Sequence, residues 1–131
     1  MTKLEKEILY QEYDQLLEFA HEAGLKAGNA CQPTLYKWTA GGAADIHGEC
    51  GCAGVMTREH GAGTFVKYLK AKHTKDGYCH VQKDGYRKAW NVPGDCPDYG
   101  QQIEPKMAYA EAFADALNEY GIKAFAWEYL T

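Results

Sequence analysis

The chain has 131 residues, 46% of them apolar, and a formal net charge of -4, which predicts a single folded domain, residues 1–131, with a hydrophobic core. Its longest apolar runs are too short to span a membrane, and residues 2–22 do not resemble a signal peptide, so we expect a cytoplasmic protein without a membrane partner. The five cysteines are an odd number, which favours reduced thiols over disulfides in that compartment.

The first predicted element is a long helix from Lys3 to about Cys31. Its inner face is predicted by apolar residues at helical spacing: Leu4, Ile8, Leu16, Leu17 and Ala20. Its second half places small residues three or four positions apart, which permits close packing: Ala20, Ala23, Gly24, Ala27, Gly28 and Cys31. Pro33 ends the helix, because the residue before a proline is pushed out of the helical region. We therefore expect an N-terminal helix, residues 1–32, and a core, residues 33–131.

The middle of the chain alternates short strands with one helix. Residues 35–39 and 50–56 carry the aromatic, small and apolar side chains expected of strands. A helix is predicted from Thr64 to Lys72. An Asp-Gly pair inside residues 78–92 favours a hairpin of two strands.

The last third of the chain has the clearest pattern. Pro105 suits the first turn of a helix, and Gly121 supplies the left-handed residue that ends one. Apolar residues at helical spacing define the inner stripe of this helix: Met107, Ala110, Phe113, Leu117 and Tyr120. Acidic residues define its outer face: Glu104, Glu111, Asp115 and Glu119.

After Gly121 the pattern changes to the two-residue period of a strand. One face of this strand suits packing beneath helices: Ile122, Ala124 and Ala126. The other face carries a row of rings: Phe125, Trp127 and Tyr129. This second face is either open or covered by the first helix, and the sequence is compatible with both arrangements.

The order of predicted elements indicates the fold class. From Cys50 onward the order is β-α-β-β-α-β, the split arrangement of ferredoxin-like folds. The prediction is therefore an α+β protein with a ferredoxin-like core and an extra N-terminal helix and strand. Two crossovers of this kind place both later helices on one face of the sheet.

Several motifs run through the chain: Gly48-x-Cys50-Gly51, Gly63-x-Phe65-Val66-Lys67-Tyr68-Leu69-Lys70, Tyr99-Gly100-Gln101, Lys106-x-Ala108-Tyr109-Ala110-x-Ala112-Phe113-Ala114 and Gly121-Ile122-x-Ala124. Together they resemble a family of small uncharacterised proteins of tailed bacteriophages and prophages. The resemblance covers nearly the whole chain and implies a phage context, with the host cytoplasm as location. It implies no activity, because the motifs are structural in type.

The net charge hides a segregation along the chain. Residues 1–57 carry -4, residues 58–88 carry +5 and residues 89–131 carry -5. A basic island in an acidic chain indicates either an anionic partner or solvated lysines that face acidic neighbours. Both interpretations stay open.

The turn before the middle helix is the first candidate ligand site. Unpaired backbone N–H groups and the helix dipole favour an anion at such a position. The residues proposed to bind it are Arg58, His60, Gly61, Gly63 and Thr64. The alternative is a plain helix start with Thr64 as its cap, since the sequence lacks a complete phosphate-binding motif.

The aromatic and basic face of the sheet is the second candidate. Lys88 and Trp90 alternate along one strand and Trp127 lies on another, so the two rows are expected to share a face. Exposed rings beside lysine would stack nucleobases. If the first helix packs there instead, the same rings form a second core layer.

The cysteines and histidines define neither a metal site nor a catalytic site. Cys50-x-Cys52 and Cys79-His80 lack the spacing of a structural zinc site. No sequence orders a nucleophile, a base and an oxyanion donor. We therefore predict no catalytic residue, no metal and no cofactor.

Three functions remain, in order of preference. The first is a non-enzymatic binding protein for an anionic ligand, either a nucleotide or a short nucleic acid. The second is a phage inhibitor that binds a host protein through the first helix or the acidic face of the last one. The third is a small enzyme or metal protein built on cysteine and histidine. A homo-oligomer formed through an open aromatic face is compatible with each.

Overall fold

The computed structural model describes residues 2–31, 35–36, 46–47, 51–73, 81–84, 87–94, 96–97, 99 and 102–130. The elements in chain order are α1 (Lys3–Ala30), β1 (Leu35–Tyr36), β2 (Ile46–His47), β3 (Gly51–Thr57), α2 (Thr64–His73), β4 (Val81–Asp84), β5 (Arg87–Val92), α3 (Ile103–Tyr120) and β6 (Ala124–Leu130). The predicted α+β class is confirmed.

The sheet is antiparallel and centred on β3. Strand β3 pairs with β5 on one side and with β6 on the other, and β4 pairs with the outer edge of β5. The short strands β1 and β2 pair with each other. Asp84 and Arg87 are partners at the end of the β4–β5 pair, as the predicted hairpin requires. The intervening residues 85–86 lie outside the described residues, as do residues 37–39 of the first predicted strand.

Helix α1 has the predicted extent for identifiable reasons. The Thr2 side chain accepts the N–H of Glu5, while the Glu5 carboxylate accepts the N–H of Thr2, so two otherwise unpaired donors are satisfied. At the other end Cys31 leaves the helical region with φ -71° and ψ 130°.

Helices α1 and α3 run antiparallel, and small residues of α1 make room for tyrosines. A Cβ added to Gly24 would lie 2.6 Å from the ring of Tyr109, and one added to Gly28 would overlap the hydroxyl of Tyr99. Tyr109 is buried and shares a 2.6 Å hydrogen bond with Nδ1 of His21. The predicted close packing is confirmed, with side-chain rings as the neighbours.

Part of the predicted inner face of α1 is wrong. Leu16 and Ala20 are buried, but Leu4 is 66% exposed and Ile8 is 51% exposed. The reason is their position around the helix. Leu4 and Ile8 lie on the face of α1 that also carries the exposed Phe19, whereas the neighbouring Leu9 packs against the core.

The end of α3 also differs in part from the prediction. Gly121 is the expected left-handed residue, with φ 107°, and Phe113 and Leu117 are buried as expected. Tyr120 is 49% exposed: its ring packs edge-on against that of Tyr13, with 6.4 Å between the ring centres, and its hydroxyl donates a hydrogen bond to the carboxylate of the exposed Glu12.

One core joins all three described helices to one face of the sheet. Its strand members include Val55 and Val92, and the partly buried Ala124 and Ala126 pack against the cluster, so the predicted position of these alanines beneath helices is confirmed. Helix α1 contributes to the same cluster and packs on α3 and α2. It therefore lies on the helical side of the sheet, not across the face that carries Phe125 and Trp127.

Candidate functional site

Several polar groups of the turn between β3 and α2 already form hydrogen bonds within the protein. The N–H of Gly63 donates to the carbonyl of His60 at 2.8 Å, and the N–H of Ala62 donates to its Nδ1 at 3.0 Å. The carboxylate of Glu59 accepts the N–H of Lys123 at 2.9 Å. Two donors expected to face an anion are thus engaged within the turn, and a carboxylate lies beside them.

Thr64 is the first residue of α2, and its side chain faces α1. Its hydroxyl shares a 2.9 Å hydrogen bond with the hydroxyl of Tyr13. The side chain therefore ties the start of α2 to the core. His60 remains exposed on the turn.

The two tryptophans of the candidate site lie on opposite faces of the sheet, so the expectation of a shared face is wrong. Thr57 pairs with both Trp90 and Ala124, which places Trp90 on the helical side. Gly54 pairs with Trp127, which places that ring on the other side. Strand register, which single-strand periodicity does not reveal, decides this outcome.

Trp90 lies beside the turn between β3 and α2. The ammonium of Lys70 in α2 lies 4.4 Å from the centre of its ring, and a Cβ added to Gly61 would lie 2.9 Å from its Cζ2 atom. Lys88 lies in β5 opposite Lys83, and its side chain is outside the described residues. The structure thus brings Gly61 and Trp90 together. It also places Lys70 there, which the sequence analysis did not include among the candidate ligand-binding residues.

On the second face, Arg58 packs on β6. Its guanidinium lies 4.3 Å from the centre of the Phe125 ring, as in a cation–π contact. Trp127 lies directly over Gly54, since an added Cβ there would be 2.6 Å from Cζ2 of the indole. Its buried Nε1 has no hydrogen-bond partner among the described residues. Arg58 and Trp127 thus share this face, while Trp90 does not.

Two of the described cysteines, Cys31 and Cys96, lack the lowered thiol pKa of an activated nucleophile. Burial raises the pKa of the Cys31 thiol, and it raises that of Cys96 despite the opposing charge of Lys106. The described residues contain no group of three or more His, Cys, Asp or Glu side chains placed to hold a metal ion. Cys50 and the Cys79-His80 pair lie outside those residues.

A different site lies between α1 and α3, and the sequence analysis missed its apolar part. Two half-exposed rings, Phe19 at 59% and Tyr120 at 49%, form the walls of an open groove of about 410 Å³. Its floor includes Leu16 and Ala116, which are buried. Its polar lining consists of Glu12, Gln15 and Glu119. We call this site the α1–α3 groove.

Beyond the groove, the same face of α1 exposes two further apolar residues, which Glu12 and Gln15 separate from Phe19. Leu4 and Ile8 are one helical turn apart, and Phe19 lies 11 positions after Ile8, close to a whole number of turns. These three residues are exposed and share one face of the helix. The sequence does contain an indication of this exposed apolar surface, because α1 carries more large apolar residues than one buried face of a helix can accommodate.

The electrostatic character of the groove is negative. The hydroxyl of Tyr120 donates to the carboxylate of Glu12 at 3.1 Å, and burial together with this hydrogen bond raises the pKa of the tyrosine. Glu119 lies on the opposite wall and is exposed. The groove can therefore hold an apolar side chain with cations beside it.

Comparisons with protein-family models, with curated proteins and with solved structures gave no match. Within the described part of the chain, none of the helices combines the length and the apolar content needed to cross a bilayer.

Proposed function

We propose that the chain is a non-enzymatic binding protein that engages another protein through the α1–α3 groove. One observation carries the proposal: among the described residues, the exposed large apolar side chains all lie on α1 or at the facing end of α3. Apolar surface gathered in one place, and rimmed by polar groups, is typical of a protein interaction site. The phage resemblance supports a host protein as the partner, and an inhibitory role is the simplest one.

The test compares the wild-type chain with two single variants as bait for bacterial lysate at low salt. Phe19→Ala removes a wall of the groove, whereas Lys67→Ala changes an exposed residue of α2 and serves as the matched control. We expect a protein that the wild type and Lys67→Ala retain and that Phe19→Ala loses. Retention that is indifferent to Phe19, or no specific retention at all, would contradict the proposal.

Anion binding at the start of α2 is the second candidate function. It is supported by the position of Arg58 on Phe125, by the exposed His60, and by the location of this turn at the head of the basic segment. A panel of nucleotides and short oligonucleotides is expected to raise the melting temperature, and Arg58→Ala is expected to remove the effect. An unchanged melting temperature across the panel would end this candidate.

We also propose that residues 51–130 follow the ferredoxin-like arrangement. The strand order β4-β5-β3-β6, with antiparallel neighbours throughout, supports it. So do the positions of α2 between β3 and β4 and of α3 between β5 and β6. Amide cross-strand contacts measured by NMR would test the β3–β5 pair, the least extensive part of this pattern.

A further inference from the structure

We infer that the occupant of the α1–α3 groove is a positively charged amphipathic helix of the partner protein. This inference rests on the proposed function and specifies the partner. An apolar side chain of that helix inserts between Phe19 and Tyr120, and its lysines or arginines lie beside Glu12 and Glu119.

The shape of the apolar surface supports a helical occupant. Leu4 and Phe19 are 15 positions apart on α1, which corresponds to about 22 Å along a helix axis. The exposed apolar side chains therefore form two groups along one face of α1, Leu4 with Ile8 and Phe19 with Tyr120 of α3, and the polar residues Glu12 and Gln15 lie between them. An amphipathic helix fits such a surface because its apolar residues recur along one stripe.

The charge of the two helices specifies a basic occupant. Residues 7–25 of α1 and residues 107–120 of α3 contain no lysine or arginine. They contain eight carboxylates: Glu7, Glu12, Asp14, Glu18, Glu22, Glu111, Asp115 and Glu119. Of these, Glu12 and Glu119 line the groove itself. A partner with clustered cations gains attraction here, and an acidic one meets repulsion.

The same charges disfavour a second copy of the chain docked through this face. A symmetric pairing of α1 with α1 would place the two acidic stretches against each other. The basic segment of a second copy, residues 58–88, is an alternative occupant of the groove. A test for dimer formation distinguishes it from a partner protein.

The experiment uses three fluorescein-labelled synthetic peptides of 18 residues and the full-length chain. The first peptide is an amphipathic helix of leucine and lysine, the second has glutamate in place of lysine, and the third is a scramble of the first that disrupts its apolar stripe. Fluorescence anisotropy at two salt concentrations measures the dissociation constants. We expect the leucine–lysine helix to bind at least about tenfold tighter than either control, and to weaken as salt rises.

Variants locate the binding site. We expect Phe19→Ala to weaken binding of the basic helix by about tenfold, because the variant lacks the ring that contacts the inserted apolar side chain. We expect the double variant Glu12→Gln/Glu119→Gln to weaken binding several-fold and to reduce the salt dependence. Glu128→Gln, an exposed carboxylate on β6, is the matched control and is expected to leave the affinity unchanged.

Three results would overturn the inference: equal affinity for the lysine and glutamate helices, equal affinity for the scramble, or affinity indifferent to Phe19. A wild-type dimer in light scattering that Phe19→Ala converts to a monomer would also overturn it, since a second copy would then fill the groove. If none of the peptides binds but lysate capture still depends on Phe19, the protein-binding function stands and only the basic helix is wrong.

Discussion

At the scale of single residues, the glycines of α1 leave space for aromatic rings, because they have no side chain. A Cβ added to Gly24 would come within 2.6 Å of the Tyr109 ring and 3.0 Å of the Tyr109 carbonyl oxygen. These are parts of the partner that have little freedom to move, since the ring is buried and the carbonyl belongs to α3. Spacing in the sequence predicted close packing here, but it did not indicate which side chains fill the space.

The first prediction concerns Gly24. Gly24→Ala is expected to lower the free energy of unfolding by about 1 to 3 kcal/mol through overpacking, although alanine is the better helix former by about 1 kcal/mol. Urea denaturation measures the difference. Glu22→Ala, an exposed neighbour on the same helix, is the control and should stay within about 0.5 kcal/mol of the wild type. A Gly24→Ala variant as stable as the wild type would show that α1 and α3 separate more easily than this packing implies.

A second prediction concerns Tyr68, which is fully buried and donates a hydrogen bond to Asp14. Burial, the hydrogen bond and the charge of Asp14 all raise the pKa of its phenol above the ordinary value of 10. The folded state therefore keeps this proton at a pH where the unfolded state has lost it. The stabilisation is complete below pH 10 and declines as the pH rises above that value.

The measurement is urea denaturation of the wild type and of Tyr68→Phe at pH 8 and at pH 11. We expect the wild type to be the more stable at pH 8 and to lose more stability than the variant on the move to pH 11. Because the other tyrosines are common to both proteins, the difference in loss reports Tyr68. Equal losses in the two proteins would contradict the prediction.

At the scale of elements, the sequence predicted the presence and ends of the helices better than their surroundings. The Thr2 and Gly121 caps and the helical periodicity are local, so α1 and α3 appear where expected. The exposure of Ile8 depends instead on which face of α1 the other elements cover, and this is a property of distant segments. The separation of Trp90 from Trp127 likewise depends on strand register.

The candidate site was only partly accessible to sequence reasoning for the same reason. The acidic outer face of α3 was recognised from periodicity. The groove was not, because it requires Phe19 of α1 and Tyr120 of α3 to stand on either side of one space. Residues 101 positions apart in the chain form such a site only through the antiparallel packing of the two helices.

A prediction at this scale concerns the junction of α3 and β6. The Asn118 side chain accepts the N–H of Ala124 at 3.0 Å and donates to its carbonyl at 3.1 Å, so it fixes the start of the strand. Asn118→Ala removes both bonds and is expected to cost about 1 kcal/mol, since the gain in helix propensity offsets part of the loss. Thermal unfolding measures it, with Glu111→Ala as an exposed control on the same helix. If the two variants melt together, Asn118 does not hold this junction.

At the scale of the whole molecule, charge and shape separate into two regions. Helices α1 and α3 form an acidic layer that exposes apolar side chains, whereas the basic segment begins at Arg58 and includes α2. Because α1 packs on α3 on the helical side of the sheet, it does not cover the rings of β6, and its own apolar residues such as Phe19 are exposed. This arrangement favours our proposal of a basic partner at the α1–α3 groove over an anionic ligand at α2.

The most direct test of this account is an amide chemical-shift map of the ¹⁵N-labelled chain titrated with the leucine–lysine helix. We expect shift changes that cluster at the groove, around Glu12, Phe19 and Tyr120, and small changes at the start of α2 around His60 and Thr64. Changes centred on the start of α2, or spread evenly over the surface, would contradict it.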